Sequence, residues 1–121
     1  MQAIRALFML IVLTGVLAVA ATASAPPVGP LPAGPVTQIS VRHGELFAIA
    51  LAKPAGAGQV WRVARAYNGK VVTEVSEGVQ RGNIVTVYRA LHSGKTTIVY
   101  AVTVGERTKA LRARTFRVTV R

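Results

Sequence analysis

Apolar and polar residues alternate with a period of two from Val36 to the end of the sequence, and this pattern constrains the fold more than any other feature of the chain. Such alternation is typical of β-strands that have one buried face. The alternating segments are short, and Gly, Asn, Ser or Pro residues separate them. Beyond the N-terminal segment, no window of helical length has an apolar stripe with helical spacing. The pattern therefore predicts an all-β domain of about seven strands, arranged as an antiparallel β-sandwich.

The predicted strands coincide with the alternating segments. They are Val36–Val41, Leu46–Leu51, Val60–Ala66, Val71–Val75, Ile84–Leu91, Thr96–Val104 and Arg114–Val120. The pair Asn68 and Gly69 is the strongest hairpin signal in the chain, because both residue types tolerate positive φ, and it predicts a direct turn from the third strand into the fourth. Trp61 is interpreted as a core residue rather than a binding surface. The residues predicted to fill the core are Phe47, Ile49, Trp61, Phe116 and Val118.

The N-terminal segment has the three-part form of an export signal. Arg5 precedes an apolar run from Ala6 to Ala21, and small residues follow. The run is shorter than the roughly 20 apolar residues that a membrane-spanning helix needs. We predict a signal peptide over residues 1–23, cleavage after Ala23 and a secreted or periplasmic protein, with an uncleaved membrane anchor as the alternative.

Five of the six prolines follow between Pro26 and Pro35. Proline lacks an N–H donor and biases the preceding residue toward extended geometry. Residues 24–35 are therefore predicted to form a semi-rigid spacer, and residues 36–121 the folded domain.

The inventory of reactive side chains argues against an enzyme. The chain has no cysteine, and all four of its acidic residues are glutamates. Thiol chemistry, disulfides, cysteine-based metal sites and most hydrolase mechanisms are thereby removed. His43 and His92 are far apart in the sequence and are predicted to be solvated. We predict a non-enzymatic protein without catalytic residues, cofactor or metal.

The chain is strongly basic, with 15 Lys and Arg residues against four acids and a formal net charge of +11. The cations crowd toward the C-terminus, where we predict a basic face formed by Arg112, Arg114, Arg117 and Arg121. A field of this sign attracts polyanions. For an exported protein we expect an anionic envelope component or an acidic protein surface as partner, and no nucleic acid; a solvated face without a partner is the alternative.

The order of these features resembles the chagasin-type inhibitors of papain-like cysteine proteases. In that family a glycine precedes an alternating apolar strand that ends in leucine, as Gly44 precedes Phe47–Leu51 here. A loop of the type Asn-Pro-Thr-Thr-Gly-Tyr-x-Trp then resembles the segment from Lys53 to Trp61. The most specific matches along residues 36–121 are Pro54, Gly58, Trp61, Ala90 and Gly94.

The resemblance implies an immunoglobulin-like sandwich in which three loops at one end block the protease cleft without being cut. The corresponding segments here are residues 53–59, 78–83 and 104–109. The candidate inhibitory residues are Lys53, Pro54, Ala55, Gly56, Ala57, Gly58, Gln59, Gly78, Gln80, Arg81, Gly82, Gly105, Glu106 and Arg107. The implied partner is a papain-like cysteine protease, and we expect the protein to be a monomer.

The loops themselves have diverged from the family pattern. The first loop lacks the asparagine, both threonines and the tyrosine, and the third lacks the family's Arg-Pro-aromatic motif. There are therefore two hypotheses. The protein is either a steric inhibitor of papain-like proteases or an exported basic β-sandwich that binds an anionic envelope component or an acidic protein surface without inhibiting proteases.

Overall fold

The computed structural model describes residues 27–105 and 108–121, so the predicted signal peptide lies outside the described residues. Within those ranges the chain forms seven β-strands and no helix, which confirms the all-β prediction. The strands are β1 (Val36–Val41), β2 (Leu46–Ala52), β3 (Gln59–Val63), β4 (Val72–Gln80), β5 (Asn83–Ala90), β6 (Gly94–Val104) and β7 (Arg112–Val120).

The strands form two sheets, a four-stranded sheet in the order β1-β7-β6-β3 and a three-stranded sheet in the order β2-β5-β4. Strand β1 runs parallel to β7, and the other neighbours are antiparallel. The core lies between the two sheets, where Ile49 of β2 and Ile98 of β6 are buried in one hydrophobic cluster. Strand β7 shows the alternation directly, because Phe116 and Val118 are buried while Arg117 between them is exposed.

The predicted core is correct at three positions and incomplete at two. Ile49, Phe116 and Val118 are almost fully buried. Phe47 and Trp61 are only partly buried, and both pack against the central cluster. They lie on β2 and β3, which are edge strands of their sheets, so one side of each ring has no neighbouring strand.

The prediction of a hairpin at Asn68 and Gly69 is wrong. Strand β3 pairs with β6 and β4 pairs with β5, so the connection between β3 and β4 crosses from one sheet to the other. The side-chain oxygen of Asn68 accepts a hydrogen bond from the Lys70 amide at 3.0 Å, and its carbonyl accepts one from the Val71 amide at 3.0 Å. Asparagine here caps its own turn instead of adopting positive φ.

The two-residue hairpin lies instead at Arg81 and Gly82, between β4 and β5. Both residues have positive φ, 53° and 79°, and Gln80 pairs with Asn83 across the turn. Positive φ at both central positions is the type I′ geometry, which matches the twist of the flanking strands. Arginine is not a typical residue for this position, so the sequence carried no strong signal for the turn.

Two tyrosines join the sheets through the core. The hydroxyl groups of Tyr88 on β5 and Tyr100 on β6 form a short, buried hydrogen bond. Burial raises the pKa of both phenols. Tyr67 meets the Tyr88 ring edge-on, and burial raises the pKa of Tyr67 to about 12. These phenols are therefore neutral at physiological pH, and the pair satisfies its polar atoms inside an apolar core.

The segment that precedes β1 contacts the four-stranded sheet. The Val28 amide donates to the Thr108 carbonyl at 3.0 Å, and the Thr115 amide donates to the Pro35 carbonyl at 3.0 Å. Gly34 lies so close to the Ala113 carbonyl that a Cβ atom would overlap it. The hydrogen bonds of the sandwich therefore begin before β1.

Candidate functional site

Three connections meet at one end of the sandwich, which we call the loop end: residues 53–58, 81–82 and 105–111. The first two are linked directly, because the Lys53 amide donates to the Gly82 carbonyl at 2.9 Å. The end of the first connection lies beside the start of the third, because Gln59, the first residue of β3, pairs with Val104, the last residue of β6. The three segments expected to act together are therefore neighbours.

The first connection has a buried base and an exposed tip. Pro54 is buried, whereas the four residues from Ala55 to Gly58 are exposed. The Gln59 amide donates to the Gly56 carbonyl at 3.2 Å, and Gly58 has a φ of 72°. No side chain in the tip is larger than a methyl group, so a partner's backbone can approach this backbone closely.

Trp61 joins the two stems of the first connection. Its indole N–H donates to the carbonyl of Ala52, the last residue of β2, at 2.9 Å. The guanidinium group of Arg112 lies over the indole, 5.4 Å from the ring centroid, in cation–π contact. The side chain interpreted as a core residue therefore also fixes the geometry of the loop end.

The second connection is shorter than predicted. Gly78 and Gln80 belong to β4 and Asn83 belongs to β5, so only Arg81 and Gly82 form the turn. All four candidate residues of this segment are nevertheless exposed, Gly78, Gln80, Arg81 and Gly82. The predicted loop is thus the tip of a rigid hairpin, because strand pairing continues to its last residue.

The third connection is closed by a threonine. The Thr108 hydroxyl donates to the Val104 carbonyl at 3.1 Å, and the Thr108 carbonyl accepts from the Val28 amide. Gly105 is exposed and has a φ of 74°. The candidates Glu106 and Arg107 lie outside the described residues. The chain before β1 therefore supports this connection from one side.

Sequence reasoning missed a set of exposed apolar residues at the loop end. Val79 is 69% exposed two residues before the hairpin turn, and Leu111 is 51% exposed just before β7. Val60 and Val104, at the adjoining ends of β3 and β6, are also exposed. These residues could have been recognised in the sequence, because each lies near the end of a strand, where an apolar side chain need not face the core. Exposed apolar side chains beside cations are typical of the centre and rim of a protein interface.

The predicted basic face is divided between two faces of β7. Arg117 is exposed on the outer face, whereas Arg114 lies on the inner side, where its guanidinium packs over the Phe116 ring at 5.0 Å and donates to the Thr37 hydroxyl at 3.4 Å. Arg112 shares the inner side, against Trp61. Strand alternation is the reason, because even-numbered positions of β7 face the core. Arg117 and Arg121 remain as the outward pair.

Among the described residues, no glutamate lies in the three connections of the loop end. Glu45 lies at the other end of the sandwich, where its carboxylate accepts from the Arg42 amide at 2.7 Å. Glu74 and Glu77 lie on β4, and burial together with Glu77 raises the pKa of Glu74. The described cations of the loop end, all exposed, are Lys53, Arg81, Lys109 and Arg112.

The two histidines are neighbours despite their separation in the sequence. The rings of His43 and His92 stack with centroids 6.1 Å apart, and both residues are exposed as expected. Across residues 27–105 and 108–121, no three His, Cys, Asp or Glu side chains are grouped closely enough to hold a metal ion. In the same ranges no helix has the length and apolar character to cross a membrane.

No protein-family model matches the sequence, and no curated protein matches it. The fold is similar to the crystal structure of the cysteine protease inhibitor EhICP2 from Entamoeba histolytica, with a TM-score of 0.56 and 17% sequence identity. The match covers 72% of this chain and 96% of that chain. The expected resemblance to cysteine protease inhibitors is therefore confirmed at the level of the fold.

Proposed function

We propose that the protein is an exported, reversible inhibitor of papain-like cysteine proteases, with an immunoglobulin-like sandwich and no catalytic activity of its own. It blocks the protease cleft sterically with residues 53–59, the hairpin tip within 78–83, and residues 104–109. The observation that carries the proposal is the contact between the three connections, through the Lys53–Gly82 hydrogen bond and the pairing of Gln59 with Val104.

The loop end is held rigidly, as a segment that inserts into a protease cleft must be. The hairpin tip stays paired to its last residue, and Trp61 ties the stems of the first connection together. Such stems limit the entropy lost on binding, because little has to be ordered. The joined stems also hold the first connection in a turn, whereas a protease cleaves a segment that it binds in an extended conformation.

The chemistry of the loop end suits a cleft despite the divergence from the family pattern. Exposed Val79, Val104 and Leu111 supply apolar contact where the family uses aromatic residues. The exposed cations Lys53 and Arg81 form a positive rim, which accelerates association with a cleft lined by carboxylates. We expect inhibition weaker than that of a loop set with large aromatic anchors, since such anchors carry most interface energy.

Export belongs to the same proposal. Cleavage after Ala23 removes the apolar segment and releases a monomer into the periplasm or the medium. Mass spectrometry of the secreted product is the test, with Thr22 and Ala23 absent and Ser24 as the first residue. Retention of the whole apolar run in the membrane fraction supports the uncleaved anchor instead.

The functional experiment is a titration of papain-like proteases with the purified protein, following hydrolysis of a fluorogenic peptide. We expect stoichiometric, reversible inhibition at micromolar concentration, with an association rate that falls as salt is added and a final extent that changes little. A serine protease of similar size serves as the control enzyme and is unaffected. Failure to inhibit any papain-like enzyme at micromolar concentration excludes the proposed function.

A further inference from the structure

The outer face of the four-stranded sheet carries a regular arrangement of cations and hydroxyl groups. The register of β1, β7 and β6 aligns their outward side chains in two cross-strand rows. Core residues such as Ile39 and Val118 alternate with them, so the rows face away from the core. The first row is Ser40, Thr119 and Lys95, and the second row is Gln38, Arg117 and Thr97. We call these six residues the outer rows.

The outer rows are open to solvent and positively charged. Only Thr119 is partly buried, while both cations are exposed. Exposed Arg42 and Arg121 continue the face beyond the rows, where the Arg121 amide donates to the Val41 carbonyl at 2.9 Å. Glu45 lies in the β1–β2 connection near Arg42, and its carboxylate accepts a hydrogen bond from the Arg42 amide. No carboxylate side chain belongs to the rows themselves.

The spacing of the two cations suits a linear polyanion. Lys95 and Arg117 lie on adjacent strands and are offset by two residues, which places their Cα atoms about 8 Å apart. That distance is about one Debye length at physiological salt, so the two charges act on the same stretch of a bound polymer. The hydroxyl and amide groups between them offer both donors and acceptors.

We infer that the outer rows bind an acidic polysaccharide, with its carboxylates or sulfates on Lys95 and Arg117 and its sugar hydroxyls on the threonine, serine and glutamine side chains. The face has no aromatic ring on which a nucleic acid base could stack. Neither row contains a large apolar side chain, and Val36, exposed on the same face, is a single valine rather than the set of tryptophan, phenylalanine or leucine residues that enters a lipid surface. A hydrated, hydroxyl-rich and negatively charged chain is the partner that this composition matches.

This binding is independent of the proposed inhibition. Lys95 is the second residue of β6 and Val104 is its last, so the two positions are about 30 Å apart along the strand. One molecule can hold a polysaccharide on its outer rows while its loop end engages another protein. Polysaccharide binding by the outer rows can therefore be tested whether or not the protein inhibits proteases.

The experiment measures binding of the purified protein to immobilised polygalacturonate, with the fully methyl-esterified polymer as the uncharged counterpart. The test variant is Lys95→Gln/Arg117→Gln. The matched control is Lys53→Gln/Arg81→Asn, which removes the same charge at the loop end and keeps a residue that tolerates the positive φ of position 81. Thermal melting of both variants checks the fold, which exposed substitutions leave intact.

We expect the test variant to bind about 30-fold more weakly, on the scale of two cations at an anionic surface, and the control to change by less than about twofold. The esterified polymer is not bound. Equal weakening by both variants attributes binding to net charge and overturns the inference. Oligothymidylate binding as tightly as polygalacturonate, with the same loss in the test variant, also overturns it in favour of a general polyanion surface.

Discussion

The two ends of the sandwich are closed in different ways. At the end opposite the loops, consecutive amides of the β1–β2 connection bond to the two different sheets: His43 to the Arg121 carbonyl and Gly44 to the Ala90 carbonyl, each at 2.8 Å. At the loop end the sheets are joined by a side chain, the Trp61 indole on the Ala52 carbonyl. Backbone hydrogen bonds therefore close one end of the sandwich, whereas closure through the Trp61 side chain leaves the tip backbone of the other end free for a partner.

Removing the Trp61 side chain, which joins the sheets at the loop end, is expected to have the largest effect on stability. Trp61→Ala deletes the indole hydrogen bond, the packing against the core and the cation–π contact with Arg112, and should lower the free energy of unfolding by about 3 kcal/mol. Urea denaturation measures the change. The control Val60→Ala, at the adjacent exposed position, should change it by less than about 0.5 kcal/mol. A loss below about 1 kcal/mol for Trp61→Ala contradicts this closure.

A smaller effect is expected where the N-terminal segment supports the third connection. Gly34→Ala places a Cβ against the Ala113 carbonyl and should cost about 1–3 kcal/mol. Because Val28 then loses its position beside Thr108, papain inhibition should weaken as well. Gly78→Ala is the stability control, since a Cβ there meets no neighbouring atom and φ is not positive. Melting curves that are equal for the two variants show that residues 27–35 do not contribute to the fold.

The smallest expected effect is on stability at alkaline pH, and it arises from Tyr67 at the end of the sandwich opposite the loops. The pKa of Tyr67 is raised from 10.0 to about 12, so the folded state holds the phenol proton more tightly than the unfolded chain. Stability from this group is complete below pH 10 and declines as pH rises toward 12. Tyr67 lies in the β3–β4 connection, and Tyr67→Phe should therefore flatten the fall in melting temperature between pH 10 and 12. An unchanged slope excludes Tyr67 as a source of the alkaline instability.

The strands could be predicted from the sequence because their information is local. Alternation in β7 specified Phe116 and Val118 as buried and Arg117 as exposed, and the structure agrees. The same rule, applied consistently, would have excluded Arg114 from a face shared with Arg117. Strand partners could not be predicted, because pairing depends on contacts between distant segments. Asn68 and Gly69 are a strong local turn signal and predicted that β3 pairs with β4, but β3 pairs with β6.

For the loop end, too, the position of a connection could be predicted from nearby residues, but its neighbours in space could not. The first connection was located correctly because Pro54 and the glycines mark a loop between two alternating strands. Its neighbours were expected only through the family resemblance, and the contact from Lys53 to Gly82 joins residues that no sequence periodicity relates. The stacking of His43 on His92 has the same origin, since two separate connections bring them together.

A short deletion tests whether the tip of the first connection is the part of the protein that enters the protease cleft. Removing Ala55–Ala57 leaves three residues between β2 and β3, which can span about 15 Å, more than the roughly 10 Å between packed sheets. Papain inhibition and the melting temperature are measured on the same preparation. We expect inhibition to be lost while the melting temperature changes by only a few degrees, because loop length affects closure entropy weakly. Full inhibition by the shortened protein would show that the tip does not enter the protease cleft.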